Sequence, residues 1–371
     1  MAAMTRSFTG IPTLDLSWAD DSARRPQLLA QLRHALVDVG FLYISHHGVP
    51  DDVVTGLVHE LPSLFALPSQ EKERIALHNS AQFLGYSAAG TETTAGQPDR
   101  REQIEFATEH PEDSWTPDQP AYERLRGPNQ WPDAETVPGL RPAVEAYLDA
   151  LTALGERFVG LVAEALFLPA DALLGFLSDQ HRLKLVHYPG VVDAKADGAG
   201  GSRQGVGPHK DSSGWWTFLL QASPPPIGGL QALNRAGEWI NVPAVPGTFV
   251  VNIGQAFEVV THGVCPATTH RVLSSADERF SVPFFQGVRR NLTKTEALGA
   301  LQDHFQKTFP GRFLGSNGES AEGRQIDSPF LRGRYETWGE SQLRTKVRSH
   351  RDVGAQFYGD VFDKYIHDED T

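Results

Sequence analysis

Residues 208–221, PHKDSSGWWTFLLQ, set a histidine and a carboxylate two apart, directly before one of the most apolar runs in the chain. Alternate side chains of an extended strand share a face, so His209 and Asp211 point the same way. Two histidines and one carboxylate hold ferrous iron on one face and leave the other coordination positions open. Such a site takes two ligands from one short stretch and a third from elsewhere in a sheet. His209 and Asp211 supply the pair.

The His-x-acid spacing recurs at His110–Glu112, His350–Asp352 and His367–Glu369, so spacing alone selects nothing. Context separates the four. Pro111 interrupts the first pair within a polar loop, and the third lies in the acidic tail HDEDT with no later histidine. The second sits in a helical pattern, where positions two apart diverge. Only His209–Asp211 precedes an apolar strand and is followed by further strands carrying histidines. The third ligand then comes from His262, His270 or, in the next helix, His304. His262 precedes Gly263 in a turn after FEVVT, whereas THRVLSSADERFSVPFF around His270 reads as two strands about the turn SSADE. A hairpin centred between Ser275 and Ala276 sets His270 opposite Ser281 and Val272 opposite Arg279, all on one face. On that condition His270 completes the triad.

Outward from this region, short strands run from RLKLVHYPG (182–190) to about residue 290: WWTFLLQ, GLQALN, EWINVP, TFVVNIG, FEVVT, THRVL and RFSVPFF. Many short strands at this spacing indicate a sandwich or barrel. The loop 191–207, rich in Gly and Ala, is long enough to act as a lid. Upstream, IPTLDLS (11–17) reads as a strand, residues 24–40 as a helix stopped at Gly40, and FLYISHHGVP as a buried strand and turn. Residues 51–79 carry another helical pattern, 82–132 long loops with short strands, and 144–168 the clearest helix. Helical character returns over 294–308 and from 339 onward. The expectation is a mainly β protein with flanking helices. An N-terminal mixed region (1–180) packs on a core (181–290) beside a C-terminal helical region (291–371), as one cooperative unit.

Composition narrows the function. With 371 residues and a net charge of −13, the chain is a poor match for nucleic acid or an anionic membrane surface. No run approaches the roughly 20 apolar residues of a membrane span, and the start MAAMTRSFTG has no signal-peptide pattern. Cys265 is the only cysteine, so no internal disulfide forms, which fits a cytoplasmic protein. Nothing in the sequence sets the oligomeric state.

The ordered set IPTLDLS, VGFLYISHHGVP, GYSAAGTETTAGQPDRREQIEFATE, GPNQWP, HYPG, GPHKD, GTFVVNIG, THRV and RFSVPFF covers most of the chain. It resembles the isopenicillin N synthase-like branch of the Fe(II)/2-oxoglutarate-dependent dioxygenases. The resemblance implies a jelly-roll, or double-stranded β-helix, enclosing Fe(II), with 2-oxoglutarate as cosubstrate and O2 as oxidant. By position, His209, Asp211 and His270 match that family's iron ligands. Arg279 and Ser281 match its Arg-x-Ser motif for the distal carboxylate of 2-oxoglutarate, and Tyr188 matches a tyrosine contacting the same group. The chemistry agrees, because an arginine fork suits a carboxylate bidentately. The inward-facing polar pair is then explained, since a metal ion offsets its burial. The chain departs from the family at Val186, Gln255 and His262, where Asn, Asp and Asn are usual.

The implied reaction oxidises a C–H bond of a small organic metabolite, by hydroxylation, desaturation or cyclisation, with succinate and CO2 as coproducts. Substrate contacts are expected from Phe83, Tyr86, Phe106, Trp215, Trp216, Phe285 and Gln286, although adjacent tryptophans cannot both face inward on a regular strand. Two rival readings remain. One is an oxidase that uses no 2-oxoglutarate and turns the Arg-x-Ser pair to a substrate carboxylate. The other is a catalytically silent binding protein on the same fold.

Overall fold

A computed structural model describes residues 7–110, 115–190, 204–315 and 325–368. The N-terminal part contributes strands β1 (Thr13–Asp15), β2 (Phe41–Ser45), β3 (Gly85–Ser87), β4 (Thr93–Thr94), β5 (Gln97–Pro98) and β6 (Glu102–Ala107). Then follow β7 (Arg182–Tyr188), β8 (Gln204–His209), β9 (Trp216–Gln221) and β10 (Leu230–Leu233). The last four are β11 (Trp239–Asn241), β12 (Thr248–Ile253), β13 (His270–Leu273) and β14 (Arg279–Phe285).

Two sheets face each other. The larger has eight strands in the order β1-β2-β12-β9-β14-β7-β6-β3, and the smaller has four, β11-β10-β13-β8. This is the expected jelly-roll. Four of the eight strands come from residues before 180, so the N-terminal region is woven into the sheet.

Alternation decides which side chains meet between the sheets. From β7, Val186 and Tyr188 join Val206, Leu230 and Val272 of the smaller sheet in one apolar cluster. Their neighbours Leu183 and Leu185 point the other way, as do Trp216 and Phe218 of β9. Against that outer face lies the helix Leu140–Ala165, whose Val144, Leu148, Leu151, Leu154, Phe158 and Val162 form a buried stripe at helical spacing. Phe158 meets the rings of Trp216 and Phe218 edge-on at 5.2 and 5.5 Å. The larger sheet is therefore covered on both faces. Gly40 ends the first helix in the left-handed region at φ 74°, and a Cβ there would sit 2.4 Å from Thr268 Oγ1, so glycine is required twice over.

Three expectations change. FEVVT is not a strand: Gln255–Val260 is a short, fully buried helix. A brief apolar run reads alike for a buried strand and a buried helix turn. The loop expected over 191–207 ends earlier, because 204–207 belong to β8, and residues 191–203 lie outside the described residues. The hairpin about SSADE does not form either. β13 pairs with β8 and β10, while β14 pairs with β7 and β9 in the opposite sheet. The short turn carries the chain from one sheet to the other, so His270 and Ser281 share the interior as members of facing sheets, not as cross-strand partners.

Candidate active site

His209, Asp211 and His270 come together between the sheets, with one ligand atom from each within 4.8 Å of the others. Strand pairing does most of this, since His270 of β13 lies directly opposite His209 of β8. Their rings sit 4.3 Å apart. Asp211 follows β8, and its backbone carbonyl accepts from the Gln255 amide at the start of the buried helix. Asp211 Oδ1 stands 3.6 Å from Nε2 of each histidine.

The remaining valences are committed in a way that suits a cation. His209 Nδ1 lies 2.8 Å from the Gly207 carbonyl and His270 Nδ1 3.2 Å from that of Thr268. A carbonyl only accepts, so each proton sits on Nδ1 and each Nε2 lone pair faces Asp211. The carboxylate is oriented in the same manner: Thr217 Oγ1 and Asn252 Nδ2 (2.7 Å) both donate to Oδ2 and leave Oδ1 for the centre. Burial, with the charge of His270, pushes the His209 pKa down to about 3, keeping the imidazole neutral. Burial also works against the Asp211 anion, but His270, His209 and the two donors outweigh it and hold the pKa below the usual carboxylate range. Two imidazoles and one ionised carboxylate with converging ligand atoms are the donor set that a facial Fe(II) site takes.

His262 and His304 are excluded as ligands by their partners. His262 Nδ1 and Nε2 contact the carbonyls of Gly315 and Leu298 at 3.0 and 2.7 Å, and His304 Nε2 contacts that of Leu166.

The triad opens on a small cavity, about 70 Å³, whose far side holds Tyr188, Arg279 and Ser281. Arg279 and Tyr188 are register partners on β14 and β7, and the guanidinium lies 4.9 Å above the tyrosine ring. Only 2% of Arg279 is exposed, no carboxylate pairs with it among the described residues, and its Nη1 has no hydrogen-bond partner. An unpaired buried guanidinium is costly; one that receives an anion there is satisfied. The cavity therefore fits a dianionic keto acid, with the triad at one end and the fork at the other.

Of the seven expected substrate contacts only Phe285 lines this cavity. Phe83 stacks on Tyr358 at 5.6 Å, Phe106 on Trp131 at 4.7 Å and Trp215 on Phe176 at 5.4 Å. Trp216 faces the long helix, and Gln286 is pressed against Gly155 of that helix. Both tryptophans are buried because Trp215 precedes β9, so strand alternation does not bind it. Tyr86 donates to Glu102 at 2.7 Å.

Glu102 carries a prediction. Burial alone would raise its pKa, but hydrogen bonds from His187, Lys72 and Tyr86 hold it down at about 2. A carboxylate with a depressed folded-state pKa adds stability that is present above its unfolded pKa and lost as pH falls toward the folded one. Urea unfolding at a series of pH values should show Glu102→Gln less stable than the wild type at neutral pH. The gap should close between about pH 4.5 and pH 2.

Reading the sequence missed Thr217, Asn252 and Arg101, the last of which also lines the cavity. Thr217 and Asn252 had a signal, each being a polar residue inside an otherwise apolar strand. Arg101 had none, since it stands just ahead of β6, where no periodicity fixes a direction.

Comparison with known proteins agrees with this geometry. Residues 180–288 match the model of the 2OG-Fe(II) oxygenase superfamily, and residues 11–134 match that described as the non-haem dioxygenase in morphine synthesis N-terminal region. The 2-oxoglutarate-dependent dioxygenase frbJ of Dothideomycetidae sp. (strain 11243) is 40% identical over 95% of this chain and 92% of its own length. Homoarginine-6-hydroxylase 2-ODD-C23 of Glycine max is 31% identical over 76% of this chain and 86% of its own. The crystal structure of a full-length Neurospora crassa protein in complex with alpha-KG superposes with a TM-score of 0.67, covering 90% of this chain and 95% of that one. At 21% identity that likeness speaks to the fold. Among the described residues no helix is long and apolar enough to cross a membrane. With a relative of this closeness along nearly the whole chain, the protein belongs to the Fe(II)/2-oxoglutarate-dependent oxygenase superfamily.

Proposed function

We propose that His209, Asp211 and His270 hold the Fe(II) of this oxygenase, and that Arg279, Ser281 and Tyr188 receive the distal carboxylate of 2-oxoglutarate. One observation carries the reading: a single cavity joins three convergent lone pairs to a buried guanidinium without a carboxylate partner. When Fe(II), 2-oxoglutarate and O2 are bound, the centre supplies oxidation of a substrate C–H bond, with succinate and CO2 as coproducts. The chain's own work is positional. The Gly207 and Thr268 carbonyls hold the imidazole protons away from the centre, and Thr217 and Asn252 aim the carboxylate. Leu219, Pro283 and Phe285 supply apolar wall, which excludes water where the reacting bond must lie.

The substrate is a small organic molecule. The soybean relative's name, a homoarginine hydroxylase, supports that size class and a hydroxylation. Membership of a family that uses 2-oxoglutarate favours this cosubstrate over the oxidase reading, and the intact constellation weighs against a silent binding protein. The apolar cluster that spans residues 14–338 supports a single cooperative unit across 1–180, 181–290 and 291–371, to be checked by one calorimetric transition. The lone cysteine, buried as a thiol, is compatible with the cytoplasm; fractionation of the source cells checks that placement.

Anaerobic addition of Fe(II) and then 2-oxoglutarate should produce a charge-transfer band, absent when either is omitted. Asn252→Ala should weaken Fe(II) binding roughly 10- to 100-fold, the usual cost of losing a group that orients a metal ligand. Unchanged iron affinity in that variant would refute its role.

A further inference from the structure

A second and larger chamber, about 510 Å³, opens beside the metal cavity. Its wall includes Glu92 near β4, Glu105 of β6, Lys184 of β7, Ser212, and Lys346 and Arg348 of the helix Trp338–Ser349. Three links place it next to the cavity around the triad. Ser212 directly follows Asp211. Lys184 shares a face of β7 with Val186 and Tyr188, which line the cavity. Arg101, a wall of the cavity, is paired at 2.8 Å with Glu92, a wall of the chamber.

The charges in and directly behind this wall do not balance. Glu105 alone serves Arg182, Lys346 at 3.2 Å and Lys184 at 3.6 Å. Glu92 and Asp99 share Arg101, and Glu92 stands 4.0 Å from both Lys184 and His350. Among the described residues, three carboxylates thus face Arg101, Arg182, Lys184 and Lys346, with the Arg348 guanidinium beside them and donating to the Asp368 carbonyl. Lys184 is in ion-pair range of both carboxylates, at 3.6 Å from Glu105 and 4.0 Å from Glu92, but hydrogen-bonds to neither. The surplus is felt locally: burial and the like charges of Arg182 and Lys184 push the Lys346 pKa down to about 8, despite Glu105. A purely structural cluster would be expected to close its pairs, because unpaired buried charge is expensive. This one leaves the Lys184 ammonium without a hydrogen-bonded carboxylate and the cluster with one positive charge in excess.

We propose that the chamber receives a carboxylate of the substrate on the open side of the Lys184 and Lys346 ammonium groups, away from Glu105, so that the enzyme oxidises a small organic acid, amino acids included. The inference rests on the assignment of the metal and cosubstrate site above. A carboxylate anchored there fixes one end of the molecule and directs the remainder toward Phe285 and the triad. It also explains why the helix Trp338–Ser349 is tied to the chamber wall, with Gln342 donating to the Ser212 carbonyl and Lys346 reaching Glu105.

The test is calorimetric titration of the Fe(II)- and 2-oxoglutarate-loaded enzyme under anaerobic conditions. The probes are a panel of L-amino acids and 2-hydroxy acids, each beside its own carboxamide. At least one acid should bind, and its carboxamide roughly 10- to 100-fold more weakly, the range for a hydrogen bond to a charged group. Lys184→Gln should bring that acid-to-amide ratio close to one, and Lys346→Gln should shrink it. If the lysines only brace the fold, their replacement weakens acid and amide alike. That result, an acid no better than its amide, or no acid binding at all, overturns the proposal. Loading is measured first: a chain that takes up no Fe(II) or 2-oxoglutarate refutes the underlying site, whereas a loaded enzyme indifferent to acids refutes this inference alone.

Discussion

Asp211→Ala should lower Fe(II) affinity by more than about 100-fold, since losing a mere orienting neighbour of a ligand already costs 10- to 100-fold. The substitution removes Oδ1, the oxygen facing both histidine Nε2 atoms, and the only negative charge in the triad. It also strands Thr217 Oγ1 and Asn252 Nδ2, two buried donors whose acceptor disappears. Two imidazoles remain, and neither carries the negative charge that compensates a divalent cation. Iron content after anaerobic desalting, with a direct Fe(II) titration, measures the loss. Asp211→Asn keeps the shape and removes the charge, so a comparable loss there attributes the effect to ionisation and not to packing. Wild-type iron retention in either variant would sink the assignment.

Arg279→Gln should act on the cosubstrate and spare the metal. Truncating one side of a buried charge pair costs about 2–5 kcal/mol, so Kd for 2-oxoglutarate should rise roughly 30- to 5000-fold. Arg279→Lys should fall between the two, because an ammonium keeps the charge but loses the planar fork. Anaerobic titration of 2-oxoglutarate into the iron-loaded protein separates this effect from the first. An unchanged Kd in Arg279→Gln would place the distal carboxylate elsewhere.

The three residues were legible because only one His-x-acid pair precedes an apolar strand, and strands downstream offered His270. Alternation itself does not reach Asp211, which follows β8 and is aimed by Thr217 and Asn252. The fold class followed from the same short strands. What failed depends on long-range partners. THRVL and RFSVPFF are adjacent in sequence, and nothing local says that they part to opposite sheets. FEVVT is too short for its period to separate strand from helix. The substrate list chose aromatics for their chemistry, yet Trp216 and Phe106 lie where packing against Phe158 and Trp131 sends them. The charged chamber draws on segments near residues 92, 105, 184 and 346, a convergence that no single window of sequence contains.

The origin of the three proposed ligands has a mechanical consequence. Both histidines belong to the four-stranded sheet, whereas the aspartate is tethered through Thr217 and Asn252 to β9 and β12 of the eight-stranded one. A cation gripped by all three rivets one half of the sandwich to the other. Iron occupancy should therefore raise the melting temperature by ordinary ligand linkage, and slow amide hydrogen exchange in β8 and β13 more than in the helix-backed strands. On the proposed assignment the catalytic ion would also be a fastener.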